Sequence, residues 1–337
     1  MNSATYVDLH RHVSLDIEAE IEAALLRLAP ASGTSAAKSA VSRLLRHQKL
    51  RHPLSVLPMM VHAIETGDPG PAVPLSAVHV LWWTSACYLD DLADGHGTTA
   101  SGGLGQNEAL LASVLSGTVL PIQIIRSLPV PAAVQGALTA EIATGWVVGT
   151  EGQLSDIDAD ADRATRKTVI TAYRGKSGGP FSMITTMAAA LSGASDERVE
   201  LWREFGYIFG ILWQIFNDQE DILSGRNEDL LNGTVTYLLT CVLDDAPTPQ
   251  AREDILGWCD AARHSEEARA ELTRLLLAPD VLDRYTADLD AFRAEAHRLL
   301  TALGGDERHL PIMRHLVDHA AQMLLQPALA APVAASA

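Results

Sequence analysis

The chain has 337 residues, 47% of them hydrophobic but only 5% aromatic, with 42 acidic against 25 basic side chains and a formal charge of -17. That balance argues against nucleic acid, where basic patches supply the affinity, and disfavours docking to an anionic membrane surface. Three cysteines, Cys87, Cys241 and Cys259, make neither a paired nor a metal-spaced framework, which fits reduced thiols in the cytoplasm.

The first twenty residues are polar and include Asp8, His10, His12, Asp16 and Glu18, so no signal peptide is expected. The longest apolar runs, near 77–89 and 205–216, fall short of the ~20 residues a membrane span needs. No transmembrane segment is expected. Alternating β-branched runs are rare, whereas helical periodicity is widespread. It predicts helices at 15–29, 36–47, 54–66, 75–94, 105–117, 131–152, 164–175, 179–193, 197–223, 231–244, 250–263, 266–277, 282–303 and 311–325. Ala- and Leu-rich helices with few aromatics predict an all-α bundle, a single large domain over 1–326. The Ala/Pro tail 327–337 has the composition of a disordered segment.

Two acidic clusters interrupt apolar helical stretches: Asp90-Asp91-Leu92-Ala93-Asp94 and Asn217-Asp218-Gln219-Glu220-Asp221. On a helix, Asp90 and Asp94 share one face, as do Asn217 and Asp221. Like charges at that spacing repel, and carboxylates near apolar surroundings need neutralising. Hard cations such as Mg²⁺ take oxygen ligands and share them with substrate phosphates. Each cluster alone reads as an exposed helix end; two together point to Mg²⁺ and a diphosphate.

Tyr88-Leu89-Asp90-Asp91-Leu92-Ala93-Asp94 resembles the first aspartate-rich motif of the trans-isoprenyl diphosphate synthases, and Gln214 to Asp221 resembles the second. Glu151-Gly152-Gln153-Leu154 looks like the family's Gly-Gln segment, Lys176-Ser177-Gly178 like its Lys-Thr segment, and Gly225–Leu230 with Asn232-Gly233-Thr234 like its closing pattern. The order is right from about Lys49 to Thr240. The resemblance implies an isoprenoid-synthase fold with a central active-site cavity, about three Mg²⁺ ions, a prenyl diphosphate substrate and a homodimer. It makes Asp90, Asp91, Asp94, Asn217, Asp218 and Asp221 metal ligands, and Lys176, Arg226 and Gln214 the residues that meet diphosphate.

The chain also departs from that pattern. The family's Gly-Lys-x-x-Arg-Pro reads Gln48-Lys49-Leu50-Arg51-His52-Pro53, and a histidine expected seven residues before Asp90 is Trp83. Residues 95–108 hold no Lys or Arg where paired arginines are expected, and the closing lysine is Thr234. Charge-assisted donors bind a second diphosphate strongly and neutral replacements do not. The first reading is therefore a class I terpene cyclase that ionises one linear prenyl diphosphate, such as geranylgeranyl diphosphate, with Trp83 against the substrate. The alternative is a prenyltransferase, either to an acceptor other than isopentenyl diphosphate or as an ordinary polyprenyl diphosphate synthase. Asn217 and Asp221 followed by Gly225 make half of a cyclase metal motif, and Arg284-Tyr285 matches a pair found in many cyclases. Small Ser85 and Ala86 before Asp90 leave room for a long chain.

Asp156, Asp158, Asp160 and Asp162 alternate like a calcium loop, but Arg163 and Val169 stand where Gly and Glu are required. They read as a solvated loop. His315 and His319 lack the glutamate of a helical zinc site.

Overall fold

The structure, a computed structural model, describes residues 5–28, 35–47, 53–93 and 103–327. Among these no strand occurs. The helices are α1 (Tyr6–Leu26), α2 (Ala36–His47), α3 (Leu57–Thr66), α4 (Val73–Ala93), α5 (Gln106–Val114), α6 (Leu120–Ser127), α7 (Ala132–Ile157), α8 (Arg166–Tyr173), α9 (Gly179–Leu191), α10 (Asp196–Ser224), α11 (Glu228–Asn232), α12 (Tyr237–Asp244), α13 (Pro249–Ala262), α14 (Glu266–Leu276), α15 (Pro279–Leu303) and α16 (Leu310–Ala320).

Several expected boundaries move, each for a local reason. Helix α1 starts at Tyr6 rather than at 15, because Thr5 accepts from the Asp8 N–H while Asp8 accepts from the Thr5 N–H. This reciprocal cap satisfies two end donors at once. The 105–117 helix runs on through a π-helical turn, Leu115–Val119, into α6. Pro121 follows directly on that π-helical turn, and the Gly117 carbonyl one turn earlier accepts from the Trp146 indole at 2.9 Å instead, so proline's missing N–H leaves no orphan there. The single helix expected over 231–244 breaks at Gly233, which takes φ 73°, and restarts at the Thr236 cap of α12. Helix α7 continues to Ile157, five residues past its expected end. The last helix stops at Ala320 rather than 325.

Two compact units emerge. Unit 1 comprises residues 1–149, 179–207 and 297–316, and unit 2 comprises 150–178, 208–296 and 317–337. In unit 1 the core is built on α4 and α9, with Trp82, Tyr88, Phe181, Trp202 and Phe205 buried. Glu65, almost wholly buried, accepts two bonds from the Arg198 guanidinium at 2.6 and 2.7 Å and one from the Trp202 indole at 2.6 Å. That fork neutralises a carboxylate whose burial would otherwise be costly. In unit 2, Phe209, Trp213 and Phe216 stack along α10, and Tyr285 of α15 is fully buried.

Two helical stretches, Gly70–Ala93 and Gln106–Ser127, are long and apolar enough to cross a membrane, longer than the apolar runs first identified. Within the fold, 61% and 50% of their apolar windows are buried, so packing in the unit 1 core accounts for much of that apolarity.

Candidate active site

Unit 1 carries the first acidic motif on the last turn of α4. Asp90 and Asp91 are half-buried there. Two residues earlier, the Tyr88 phenol donates to the Gln106 carbonyl at 3.2 Å, tying the end of α4 to the start of α5. Asp94 lies outside the described residues, as do Lys49, Arg51 and His52. Trp83 packs its ring against Phe181 at 5.1 Å and His79 at 5.8 Å. Ser85 is buried, and a methyl group on Gly117 would come within 2.6 Å of its hydroxyl.

Unit 2 carries the second motif on α10, and here a network can be traced atom by atom. A π-helical turn, Arg174–Gly178, follows α8 and presents Lys176. Such turns are rare and gather at functional positions. Two glycines admit it: a Cβ on Gly152 of α7 would lie 2.0 Å from the Lys176 nitrogen, and one on Gly210 of α10 would lie 2.5 Å from the Gly178 Cα. Lys176 Nζ reaches Asp156 at 2.9 Å.

Asp218 and Asp221 are buried, whereas Asn217 and Glu220 on the same helix are exposed. Gln214, one turn earlier, donates to Asp218 Oδ1 at 2.9 Å and accepts from Ser177 Oγ at 2.5 Å. The Tyr173 phenol donates to Asp218 Oδ2. Asp221 accepts the N–H groups of Glu228 at 3.1 Å and Asp229 at 3.2 Å, capping α11. The exposed Arg226 side chain lies 3.8 Å from Asp221 and 3.3 Å from Glu228. Gln219 belongs to the motif by sequence but faces the C-terminal segment, accepting from the Leu324 N–H at 2.8 Å and donating to the Gln322 carbonyl at 3.3 Å.

Burial pushes the Asp218 carboxyl up to about 7, opposed by its bonds to Tyr173 and Gln214. Asp229 rises to about 8, first through burial and then through the negative charges of Asp218 and Asp221; Lys176 pulls the other way. Four carboxylates, Asp156, Asp218, Asp221 and Asp229, thus act on one another around Lys176. This all-oxygen, negatively overloaded set has the chemistry of a hard divalent-cation site. Among the described residues no three His, Cys, Asp or Glu side chains already form a cage. Mg²⁺ commonly takes one or two carboxylates and completes its shell with phosphate oxygens and water.

Unit 2 brings together Gln214, Asp218, Asp221, Lys176 and Arg226 of the expected set and adds Asp156, Tyr173 and Asp229. Asp156 corrects the solvated-loop reading: it sits in the last turn of α7, paired with Lys176, while Asp158, Asp160 and Asp162 are exposed. The signal that could have found it is its place one turn after Gly152, on the face that glycine opens. Arg284 and Tyr285 do not act as a pair: Arg284 is bound to Asp245, and the Tyr285 ring is buried with its hydroxyl 3.5 Å from the Ile215 carbonyl.

A model of the polyprenyl synthetase family matches residues 97–275, a span that holds Lys176 and the whole second motif. No curated protein matches the chain. Its fold is similar to that of geranylgeranyl pyrophosphate synthetase from Pyrococcus horikoshii, with a TM-score of 0.76 at 17% identity, covering 94% of this chain and 99% of that one. A polyprenyl synthetase from Streptomyces coelicolor gives 0.76 at 18% identity, with 94% and 98% covered. A decaprenyl diphosphate synthase from Rhodobacter capsulatus gives 0.76 at 17% identity, also with 94% and 98% covered. The all-α isoprenoid-synthase fold expected from the sequence is borne out.

Proposed function

The chain belongs to the polyprenyl synthetase family, and from that premise we propose that it is a Mg²⁺-dependent prenyltransferase acting on an allylic prenyl diphosphate. The observation that carries this reading is the buried unit 2 network, in which Lys176, Gln214 and four carboxylates surround one another. The reaction breaks the allylic C–O bond, the electron pair leaving with diphosphate. The allylic carbon then bonds to the π-electrons of an acceptor, which loses a proton.

Bound Mg²⁺ would supply positive charge to the departing diphosphate. In unit 2, Asp218 and Asp221 would hold it; the first-motif carboxylates Asp90 and Asp91 are proposed metal ligands of unit 1 in their own right. Lys176 and Arg226 would donate charge-assisted bonds to diphosphate oxygens. Gln214 orients Asp218, and Asp156 orients Lys176. Free cysteines fit a reducing compartment, and a homodimer is the expected assembly.

A second reading keeps the cyclase, favoured by the absence of Lys and Arg from 95–108 and by Trp83 where the family pattern has histidine. The family match supports the transferase over it, and Arg284 is committed to Asp245. The test is incubation of the purified chain with Mg²⁺ and C10, C15 or C20 prenyl diphosphates, with and without isopentenyl diphosphate. Longer diphosphates formed only with isopentenyl diphosphate support elongation. Hydrocarbon or terpene alcohol from one substrate alone would overturn the transferase in favour of the cyclase. Turnover only with a foreign acceptor would keep the transferase and change its acceptor.

A further inference from the structure

The Tyr173 hydroxyl is fully buried and makes two bonds of opposite sense. It donates to Asp218 Oδ2, and it accepts the backbone N–H of Tyr237 at 3.0 Å. Tyr237 is the first residue of α12, after the Thr236 cap. Its N–H is one of the orphan donors at a helix start, where the peptide dipoles leave partial positive charge. A hydroxyl that accepts from such a donor becomes a stronger donor itself, because bonds in a chain polarise one another.

The far side of the chain is anchored as well. The Tyr237 phenol donates to Asp288 at 2.9 Å, Asp288 lies 3.2 Å from the Arg166 guanidinium, and Arg166 also binds Asp244 at 3.0 Å. Helices α8, α12 and α15 are pinned together by these contacts, so the Tyr237 N–H is held on its target. At Asp218 the two oxygens are addressed separately, Oδ1 by Gln214 and Oδ2 by Tyr173. Each oxygen keeps a lone pair for a cation while the plane of the carboxylate is fixed.

We propose that Tyr173 is a positioning residue that carries the field of the α12 start to Asp218 and presets that carboxylate for the Mg²⁺–diphosphate complex. The inference rests on the proposed reading of the site. No aspartate-rich motif includes Tyr173. Outer partners of a metal-binding group typically govern ~10–100-fold in metal affinity, which sets the size of the effect.

The test is Mg²⁺ titration of the full chain by calorimetry in the presence of inorganic diphosphate, with thermal unfolding alongside. Tyr173→Phe keeps the ring and removes only the hydroxyl; it is expected to weaken Mg²⁺ binding ~10-fold or more. Tyr237→Phe removes the Asp288 bond but keeps the N–H, and is expected to weaken Mg²⁺ binding by a smaller factor than Tyr173→Phe while lowering the unfolding temperature. Unchanged affinity in Tyr173→Phe would overturn the proposal and leave the functional reading standing. No Mg²⁺–diphosphate binding by the native chain would overturn both. A second measurement needs no variant to fold: proton magnetic resonance of the native chain should show a low-field phenolic proton that moves when Mg²⁺ and diphosphate are added. A signal that stays fixed while binding proceeds would count against Tyr173.

Discussion

Gly152 and Lys176 approach so closely that a methyl group on the glycine would meet the lysine's backbone nitrogen at 2.0 Å. Helix α7 and the π-helical turn are therefore in direct backbone contact where Lys176, the proposed diphosphate-binding lysine, is presented. Gly152→Ala is expected to destabilise the protein by ~1–3 kcal/mol, the range for overpacking, and to lower turnover by displacing Lys176. Gly257→Ala serves as control, since nothing lies within 4 Å of its added carbon and helix propensity favours alanine by ~0.8–1.0 kcal/mol. Thermal unfolding and steady-state rates check both; equal behaviour of the two variants would remove the packing argument.

Asp221 does two jobs that substitution can separate. Its carboxylate caps the Glu228 and Asp229 N–H groups and is proposed to meet Mg²⁺. Asp221→Ala should lose turnover and also ~1 kcal/mol of stability, the usual worth of such a cap. Asp221→Asn keeps an acceptor oxygen and should lose turnover with stability nearly retained. Urea unfolding beside activity tells these apart, and an asparagine variant as unstable as the alanine one would show that charge, not capping, holds α11.

Much of the site was legible because its chemistry is written in spacing. Gln214, Asp218 and Asp221 fall within two turns of one helix, and the structure buries the two aspartates while leaving Asn217 and Glu220 exposed. Lys176 was legible only through the resemblance of Lys176-Ser177-Gly178 to the family's Lys-Thr segment, and the π-helical turn that carries it was not legible. Tyr173 was hidden for a physical reason: an aromatic at helical spacing reads as core, and its polar tip finds Asp218 only through tertiary structure. Helix α6 falls in the stretch between 117 and 131 to which the sequence periodicity assigns no helix, and a π-helical turn carries the chain into it. Asp156 was masked by three further alternating aspartates that do lie in an exposed turn.

Cys241 and Cys259 should be nearly inert in the native state. Burial pushes the Cys241 thiol up to about 12, helped by Asp288, and the Cys259 thiol up to about 11, helped by Asp260. The thiolate is the reactive form, so a thiol reagent at pH 8 should leave Cys241 unlabelled and reach Cys259 slowly, while the denatured chain labels at all three cysteines. Rapid labelling of native Cys241, read by peptide mass spectrometry, would contradict the packing of α12.

Acid sensitivity should localise to Asp306. Its carboxylate accepts from the Arg308 side chain at 2.9 Å, the Arg308 N–H at 2.9 Å and the His309 ring at 2.8 Å, and these bonds, Arg308 foremost, hold it well below the usual carboxylate range. A folded-state pKa below the unfolded one means the native state resists protonation. The stabilisation is therefore fully present above the ordinary value of ~3.9 and lost as pH falls beneath it. Native and Asp306→Asn proteins should differ in urea midpoint by a constant amount from pH 5 to 8, with the gap narrowing progressively below pH 4 towards the depressed folded value. A gap that does not shrink at all as pH is stepped down from 4 to the lowest pH at which both proteins stay folded would assign the effect to something other than this carboxylate.

Asp156 offers the sharpest contrast in the chain, because a near neighbour of the same type supplies the control. Asp156 and Asp158 are two residues apart, yet the first is paired with Lys176 at 2.9 Å with a tenth of its side chain exposed, and the second is exposed in the turn after α7. Removing the Asp156 charge takes the 2.9 Å ion pair from Lys176 and weakens the hold on its position. If Lys176 meets diphosphate as proposed, its misplacement costs far more than a lost surface charge, since displacement by about 1 Å is worth roughly 10²-fold in rate. Asp156→Asn should therefore lower kcat at least ~10-fold, with the fold intact by circular dichroism. Asp158→Asn should leave rate and stability unchanged. If both variants turn over like the native chain, the Lys176 pairing is structural and diphosphate must be held without it.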